Sequence, residues 1–248
     1  MLLVFKIDHK YYGYNIQDQN SGSHIIFFVF LYNIFMELYV LDTNVFFNME
    51  ARFGLGEKTE DVVKLLTAII KKQTSEQSAI YYMTPRTVEE FLSFFDDKSQ
   101  LFLTEFISSL TVKTPDYSMM QIPSHILSQF IDEVRQRAYR GMNIAEEEMK
   151  NVGQIFMGKE VLPKKDFEIT IGQRVKHFRE RYRHATRYGF IDSVADLDNI
   201  LLAKELQAYL ITSDEGIVKW GRTLGIKEMR PEVFGQRVRD VEVPHHQG

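Results

Sequence analysis

Residues 190–216 contain an apolar helix that leads without a linker into a short strand, with acidic residues at both ends of this unit. The segment reads FIDSVADLDNILLAKELQAYLITSDEG. Asp192 and Asp196 open the helix on one shared face, and Asp214 follows the strand predicted at 209–212. A helix that passes directly into a strand predicts an α/β fold, in which ligands bind beyond the carboxyl ends of the strands.

Two other predicted strands are also followed by acids. Asp42 comes directly after the strand at 38–41, and Glu89 and Glu90 lie in the helix that follows the strand at 80–85. Carboxylates that lie close together repel one another unless a proton or a cation separates them. Because oxygen ligands suit hard divalent ions, the acids predict a metal site at one edge of the sheet.

Each acid taken alone also has an ordinary explanation. Asp42 and Asp214 could cap the turns in which they stand, and Glu90 could complement the dipole of its helix. Asp192 could be the N-cap of the helix that follows, and Asp198 could be a solvated residue on the opposite side of that helix. The metal site is favoured because the acids fall at one rim of one sheet.

The remaining pattern predicts the element order β-α-β-α-α-β, then a helical excursion, then α-β-α-β. The excursion, at about 116–188, is predicted as an insertion into the α/β domain rather than a second domain with its own sheet. Within it, Gly141 could divide the helical stretch at 123–160 into two helices, and another helix is predicted at 171–188.

The composition limits the cellular compartment and the partners that can be expected for the chain. It has no cysteine, which excludes a disulfide framework and a thiolate metal site and fits the cytoplasm. No apolar run reaches the roughly 18 residues that a membrane span requires, so no membrane partner is expected. The net charge of −4 is uninformative about partners because the charges are unevenly distributed.

The ends of the chain differ from its middle. Residues 1–35 have no clean hydrophobic period, and Met36 stands directly before the first strand that leads to an acid. We expect residues 1–35 to be an extension or the product of a misplaced start, which the intact mass of the native protein would decide. The functional domain is then predicted at 36–240, followed by a loose tail at 241–248.

The helix predicted at 171–188 is rich in basic residues. An acidic site repels RNA, so a nucleic-acid substrate would have to be held elsewhere, and contacts from basic side chains to phosphates would supply that binding. The alternative is an ordinary solvated helix face. The candidate RNA-binding residues are Arg174, Lys176, Arg179, Arg181, Arg183 and Arg187.

Three segments of the sequence resemble the PIN-domain nucleases. They are LDTN at 41–44, TPRTVEEF at 84–91 and DLDNILLAKELQAYLITSDEG at 196–216. The resemblance implies a PIN-like domain whose central, mainly parallel sheet is flanked by helices. It also implies metal ligands at Asp42, Glu90, Asp196 and Asp214.

Longer segments of the sequence resemble the small RNA-free ribonuclease P proteins of bacteria and archaea. They are VKTPDY, DEVRQRAYRGMNIAEEEM and VKHFRERYRHATRYGFIDSVADLDNILLAKEL, within a resemblance that covers about residues 36–240. It implies removal of the 5′ leader from precursor tRNA, a protruding helical hairpin and a large homo-oligomer without an RNA subunit. It also adds Asp192 to the acidic cluster, which gives the catalytic set Asp42, Asp192, Asp196 and Asp214.

The mechanism that follows from this resemblance uses two Mg²⁺ or Mn²⁺ ions held by carboxylates, which activate a water and stabilise the leaving oxygen. Hydrogen bonds that orient the acids are expected from Thr43, Asn44, Thr212 and Ser213, although ordinary turn chemistry also explains these four. Two other functions stay open. One is a toxin-like PIN ribonuclease with another RNA target, and the other is a non-catalytic partner of an RNA ligase.

Overall fold

The structure is a computed structural model that describes residues 2–7, 10–15, 36–47, 58–118, 120–158 and 160–240. They belong to two compact units, Met1–Glu37 and Leu38–Gly248. The first unit contains two antiparallel strands, β1 (Leu2–Ile7) and β2 (Lys10–Asn15). The sequence does not predict this pair, because neither strand alternates regularly between apolar and polar residues.

The second unit is built on a five-stranded sheet, which confirms the predicted α/β class. The strand order is β5-β4-β3-β6-β7, and the pairs β3–β6, β6–β7 and β4–β5 are parallel. Because β4, β3 and β6 are neighbours, the residues that follow their carboxyl ends meet at the middle of one edge. The strands are β3 (Glu37–Leu41), β4 (Ala79–Met83), β5 (Thr111–Val112), β6 (Tyr209–Ile211) and β7 (Lys227–Met229).

Helices cover both faces of this sheet. In β3, Tyr39 and Leu41 pack into one apolar core and Val40 packs into the other, as the two-residue period of a strand requires. The helices are α1 (Asn44–Phe47), α2 (Thr59–Ser75), α3 (Pro85–Ser93), α4 (Leu101–Ser109), α5 (Ser124–Phe156), α6 (Lys164–Arg187), α7 (Val194–Leu206), α8 (Glu215–Thr223) and α9 (Pro231–Asp240).

Helices α5 and α6 run antiparallel and pack on each other along their length. The rings of Phe156 and Phe167 meet at one end, with centroids 5.4 Å apart. The prediction that Gly141 could divide the first helix is wrong, since α5 continues through it. Gly141 is buried because α6 approaches there, and a Cβ at this position would lie 2.7 Å from the Tyr182 ring.

Helix α9 was not predicted from the sequence. It is short, and its buried residues are few, but Phe234 and Val238 are four residues apart and lie on one face in the core. No helix among the described residues has the length and apolar character needed to cross a membrane.

Candidate active site

Asp42 stands at the carboxyl end of β3, between the neighbouring strands, and is only 2% exposed. Its backbone N–H donates to the Ile211 carbonyl over 3.1 Å, which extends the parallel ladder by one residue. Thr212 directly follows β6, and its hydroxyl donates to Asp42 Oδ2 over 2.6 Å. The prediction that Thr212 orients an acid therefore has a specific contact in the structure.

Asp214 is held at the same edge by the start of α8. It is the N-cap of that helix, and its Oδ1 accepts a hydrogen bond from the Ile217 backbone N–H over 2.9 Å. Its own N–H donates to the Thr212 hydroxyl over 3.0 Å. The Thr212 side chain thus links Asp42 to Asp214, and the capping role proposed for Asp214 as an ordinary explanation exists alongside its place in the cluster.

Asp196 is fixed by the first turn of α7. Ser193 is the N-cap, so Asp192 is not. The Asp196 N–H donates to Ser193 Oγ over 3.1 Å, and the Ser193 N–H donates to Asp196 Oδ2 over 3.2 Å, which together form a capping box. Asp192 lies just before this turn, and its carboxylate pairs with Arg187 Nε at 3.5 Å.

Glu90 reaches the cluster from α3. Thr43 Oγ1 donates to Glu90 Oε2 over 3.0 Å, which ties the helix to the residue that follows Asp42. The position of α3 is set by Thr87, whose hydroxyl donates to Asn199 Oδ1 on α7 over 2.8 Å. Of the two adjacent glutamates, the structure gives Glu90 a contact with this edge of the sheet.

Two of the carboxylates, Asp42 and Asp196, have a raised affinity for protons. Burial raises the pKa of Asp42 to about 7, and the charges of Asp196, Asp214 and Glu90 add to this increase, while the Thr212 hydrogen bond opposes it. Burial also raises the pKa of Asp196 to about 6, with further contributions from Asp214 and Asp192. Negative charge is therefore concentrated here, and a bound cation would relieve the repulsion.

The acids fit a hard divalent ion by their chemistry, since all are oxygen donors, with Asp42 buried and Asp196 half-buried. Across the described part of the chain, no three Asp, Glu or His side chains are already gathered around one common point. The fit to a divalent ion therefore rests on the chemistry of the donors.

Asp198 differs from the expectation of a solvated side chain. It is 1% exposed, and its two oxygens accept hydrogen bonds from Arg86 Nη1 and from the Tyr117 hydroxyl, both over 2.5 Å. Asp198 faces away from Asp196 on the same helix, and its contacts fasten α7 to the start of α3. Its role is therefore to hold together the two helices that carry Asp196 and Glu90.

The six candidate RNA-binding residues of α6 fall into two groups. Arg181 donates to Glu147 over 2.7 Å and to the buried Glu148 over 2.6 Å, so it joins α6 to α5, and Arg187 pairs with Asp192. The others make no ion pair with any described residue and point their charge toward solvent or a ligand. They are Arg174, Lys176, Arg179 and Arg183.

Two residues whose contacts hold the backbone near the acidic cluster were not predicted from the sequence. Gly216 lies in the first turn of α8, where a Cβ would stand 2.3 Å from the Phe190 carbonyl oxygen. A glycine inside a helix is unfavourable, which is the one sequence signal that could have found it. Arg137 is 8% exposed and binds the end of α6, yet nothing in the sequence separates it from its basic neighbours.

Comparison with known proteins gives consistent matches over the second unit. A family described as PINc domain ribonuclease matches residues 38–241. A Thermodesulfovibrio yellowstonii protein named RNA-free ribonuclease P is 34% identical over 195 residues, which is 79% of this chain and 90% of that protein. Proteins of the same name from Halorhodospira halophila (34% over 196 residues; 79% and 86%) and Staphylothermus marinus (31% over 201 residues; 79% and 92%) also match.

Proposed function

The chain belongs to the PINc-domain ribonucleases and, within them, to the RNA-free ribonuclease P proteins, and we propose that its substrate is precursor tRNA, from which it removes the 5′ leader. It is an endoribonuclease that needs no RNA subunit. The observation that carries the proposal is the acidic cluster at the edge of the sheet. Four carboxylates from separate elements converge there, in a chain matched over most of its length by ribonucleases.

Nucleases with this domain generally depend on divalent metal ions, and we assign Mg²⁺ or Mn²⁺ to this site, with two ions bound. Asp42, Asp196 and Asp214 would be direct ligands, and Glu90 and Asp192 would bind directly or through metal-bound water. When bound, such ions lower the pKa of a water and offset the charge on the leaving oxygen. The expected products are a 5′-phosphate on the tRNA and a 3′-hydroxyl on the leader.

The protein's own contribution is to hold the acids in fixed orientations. Thr212 directs one oxygen of Asp42, Ser193 directs one oxygen of Asp196, and Thr43 directs one oxygen of Glu90. Each of these hydrogen bonds occupies a single carboxylate oxygen. The second oxygen of each acid is left to face a ligand, as outer hydrogen bonds commonly arrange in metal sites.

The candidate residues of α6 that make no ion pair with a described residue are proposed to bind phosphates of the tRNA; they are Arg174, Lys176, Arg179 and Arg183. Since α6 has no fully buried residue, its charged side chains are accessible along the helix. Phosphate contacts position a substrate without reading sequence, and folded RNA is recognised mainly by shape. We also propose a large homo-oligomer, in which a neighbouring subunit contacts the distant part of the tRNA, and action in the cytoplasm, where a chain without cysteines needs no oxidising compartment.

Cleavage of a 5′-labelled precursor tRNA tests the proposal. The wild-type protein with Mg²⁺ is compared with Asp196→Asn, in which the capping oxygen is kept and the charge is lost. Asp61→Asn, on the exposed face of α2, removes the same charge elsewhere, and a reaction with EDTA removes the metal. We expect one cut at the mature 5′ end, unchanged by Asp61→Asn and lost in the other two reactions.

The other outcomes point to the two competing functions. Metal-dependent cuts at other positions of the RNA would support a toxin-like ribonuclease and exclude leader removal. Binding of precursor tRNA without any cleavage, by a correctly folded protein, would support a non-catalytic partner of an RNA ligase.

A further inference from the structure

The buried side chain of Arg137, on α5, binds the C-terminal end of α6. Its Nη1 donates to the carbonyl oxygens of Thr186 and Tyr188, over 3.2 and 3.0 Å, and its Nη2 donates to the Gly189 carbonyl over 3.3 Å. The last carbonyls of a helix lack partners within the helix, and a cation is favoured at that end. One guanidinium therefore fixes the chain as it leaves α6 toward Asp192.

The same guanidinium is connected to α8, the helix that begins after Asp214. Arg137 Nη2 donates to Glu133 Oε1 over 2.7 Å, and both oxygens of Glu133 accept from Lys219 Nζ over 2.7 and 2.8 Å. Lys219 belongs to α8. A chain of charged contacts thus runs from the end of α6 to the helix capped by Asp214.

Aromatic packing completes the connection. The Arg137 guanidinium lies over the Phe190 ring, 4.6 Å from its centroid, and the Phe190 ring packs edge to face on Trp220 of α8 at 5.9 Å. The Phe190 backbone also lies directly against Gly216. Phe190 is two residues before Asp192, and Gly216 is two residues after Asp214, so this contact sets how far apart the two acids stand.

We propose that Arg137 is a positioning residue for the metal site, which holds the segment that delivers Asp192 and Asp196 at a fixed distance from Asp214. This inference deepens the proposed function and rests on it, because it takes the acids to be metal ligands. Arg137 touches neither substrate nor metal. It acts through the end of α6, and the helical pair that would contact RNA is fastened to the carboxylate cluster at this residue.

The contacts made by Arg137 depend on the shape of its guanidinium. The Nε of Arg137 is buried and has no hydrogen-bond partner among the described residues, which is unfavourable for the folded state. What arginine supplies is a planar fork that reaches several acceptors at once, and lysine cannot reproduce that geometry. The bound acceptors are the carbonyls of Thr186, Tyr188 and Gly189, together with the Glu133 carboxylate.

Binding of Mn²⁺ to the RNA-free protein, measured from the electron paramagnetic resonance signal of free Mn²⁺, tests the inference without any catalysis. Arg137→Lys and Arg137→Gln are compared with Arg140→Gln, a matched change one turn along α5, where the exposed Arg140 makes one long contact of 3.4 Å to the Ala185 carbonyl. Outer partners of metal ligands typically change affinity by about 10- to 100-fold. Arg137 binds the backbone that leads to the acids and not the acids themselves, so its effect should be smaller. We expect the Kd for Mn²⁺ to rise about 3- to 10-fold in the Arg137 variants and to stay unchanged in Arg140→Gln.

Wild-type Mn²⁺ affinity in a folded Arg137→Gln protein would overturn the inference, even if the variant melts at a lower temperature. If Arg137→Gln does not fold, Arg137→Lys decides the question by the same measurement. The proposed substrate is tested separately. If Arg137 variants bind Mn²⁺ weakly while the wild-type protein leaves precursor tRNA intact, the positioning role stands and the substrate assignment fails.

Discussion

Asp42 is a buried carboxyl group whose ionisation opposes folding of the metal-free protein. Because its pKa in the folded state, about 7, is above the ordinary value of 3.8, its contribution to stability is complete below about pH 4 and is lost as the pH rises through 7. We predict that Asp42→Asn abolishes cleavage yet raises the free energy of unfolding at pH 8 by roughly 2 kcal/mol in EDTA.

Urea denaturation at pH 8 and at pH 4 measures this effect, and the gain should disappear at the lower pH. Asp61→Asn on the exposed face of α2 is the control and should change stability little at either pH. An Asp42→Asn protein that is less stable than wild type at pH 8 would show that the Thr212 hydrogen bond outweighs burial.

Protons and metal ions should compete for two acids of the cluster, the buried Asp42 and the half-buried Asp196. Asp42 and Asp196 have pKa values raised to about 7 and about 6, so both bind protons as the pH falls from 8 to 5. We predict that the Mg²⁺ concentration for half-maximal cleavage increases about tenfold per pH unit below 7, and more steeply below 6. A requirement for Mg²⁺ that is constant between pH 8 and pH 5.5 would contradict the raised pKa values.

At the level of elements, the contact between α8 and the segment before α7 depends on the missing side chain of Gly216. We predict that Gly216→Ala lowers stability by about 1–3 kcal/mol, because the added methyl group meets the Phe190 backbone and not a flexible side chain. The displaced Phe190 segment should also weaken Mn²⁺ binding.

The matched control for that substitution is Gly153→Ala in α5, where a Cβ would meet nothing within 4 Å. Removing a helical glycine there should stabilise the protein by up to about 1 kcal/mol. Thermal unfolding distinguishes the two variants. Equal effects would mean that the close approach at Gly216 is easily relieved.

The strands and helices differ in how far they could be predicted from the sequence. The strands that precede Asp42 and Asp214 could be predicted from the sequence because they are apolar and each is followed within three residues by an acid. The continuity of α5 through Gly141 could not, since it depends on where α6 places Tyr182. The role of Arg137 was hidden for the same reason, because its acceptors are carbonyls about 50 residues away.

At the level of the whole molecule, charge is divided between an acidic edge and a basic helix. We predict that Arg179→Ala with Arg183→Ala lowers the slope of log affinity against log salt concentration for precursor tRNA by about 1.5, since each lost phosphate contact removes about 0.7–0.9. The control is Lys64→Ala with Lys72→Ala on α2, which should leave the slope unchanged. Fluorescence anisotropy between about 50 and 200 mM salt measures the slope for both double variants. An equal decrease in the two slopes would indicate that the RNA binds elsewhere on the protein.

Because α5 and α6 are held together at Arg137, a rotation of this helical pair at that residue produces a larger displacement at its far end. Arg137 is 19 residues from the end of α5 at Phe156, a distance of about 28 Å along a helix. A tilt of roughly 10° at Arg137 would move that end by about 5 Å, while the same tilt would displace the neighbouring acids only slightly. The proposed contact between the far end of this pair and the tRNA therefore requires a fixed angle at Arg137, because a small rotation there becomes a large displacement at Phe156.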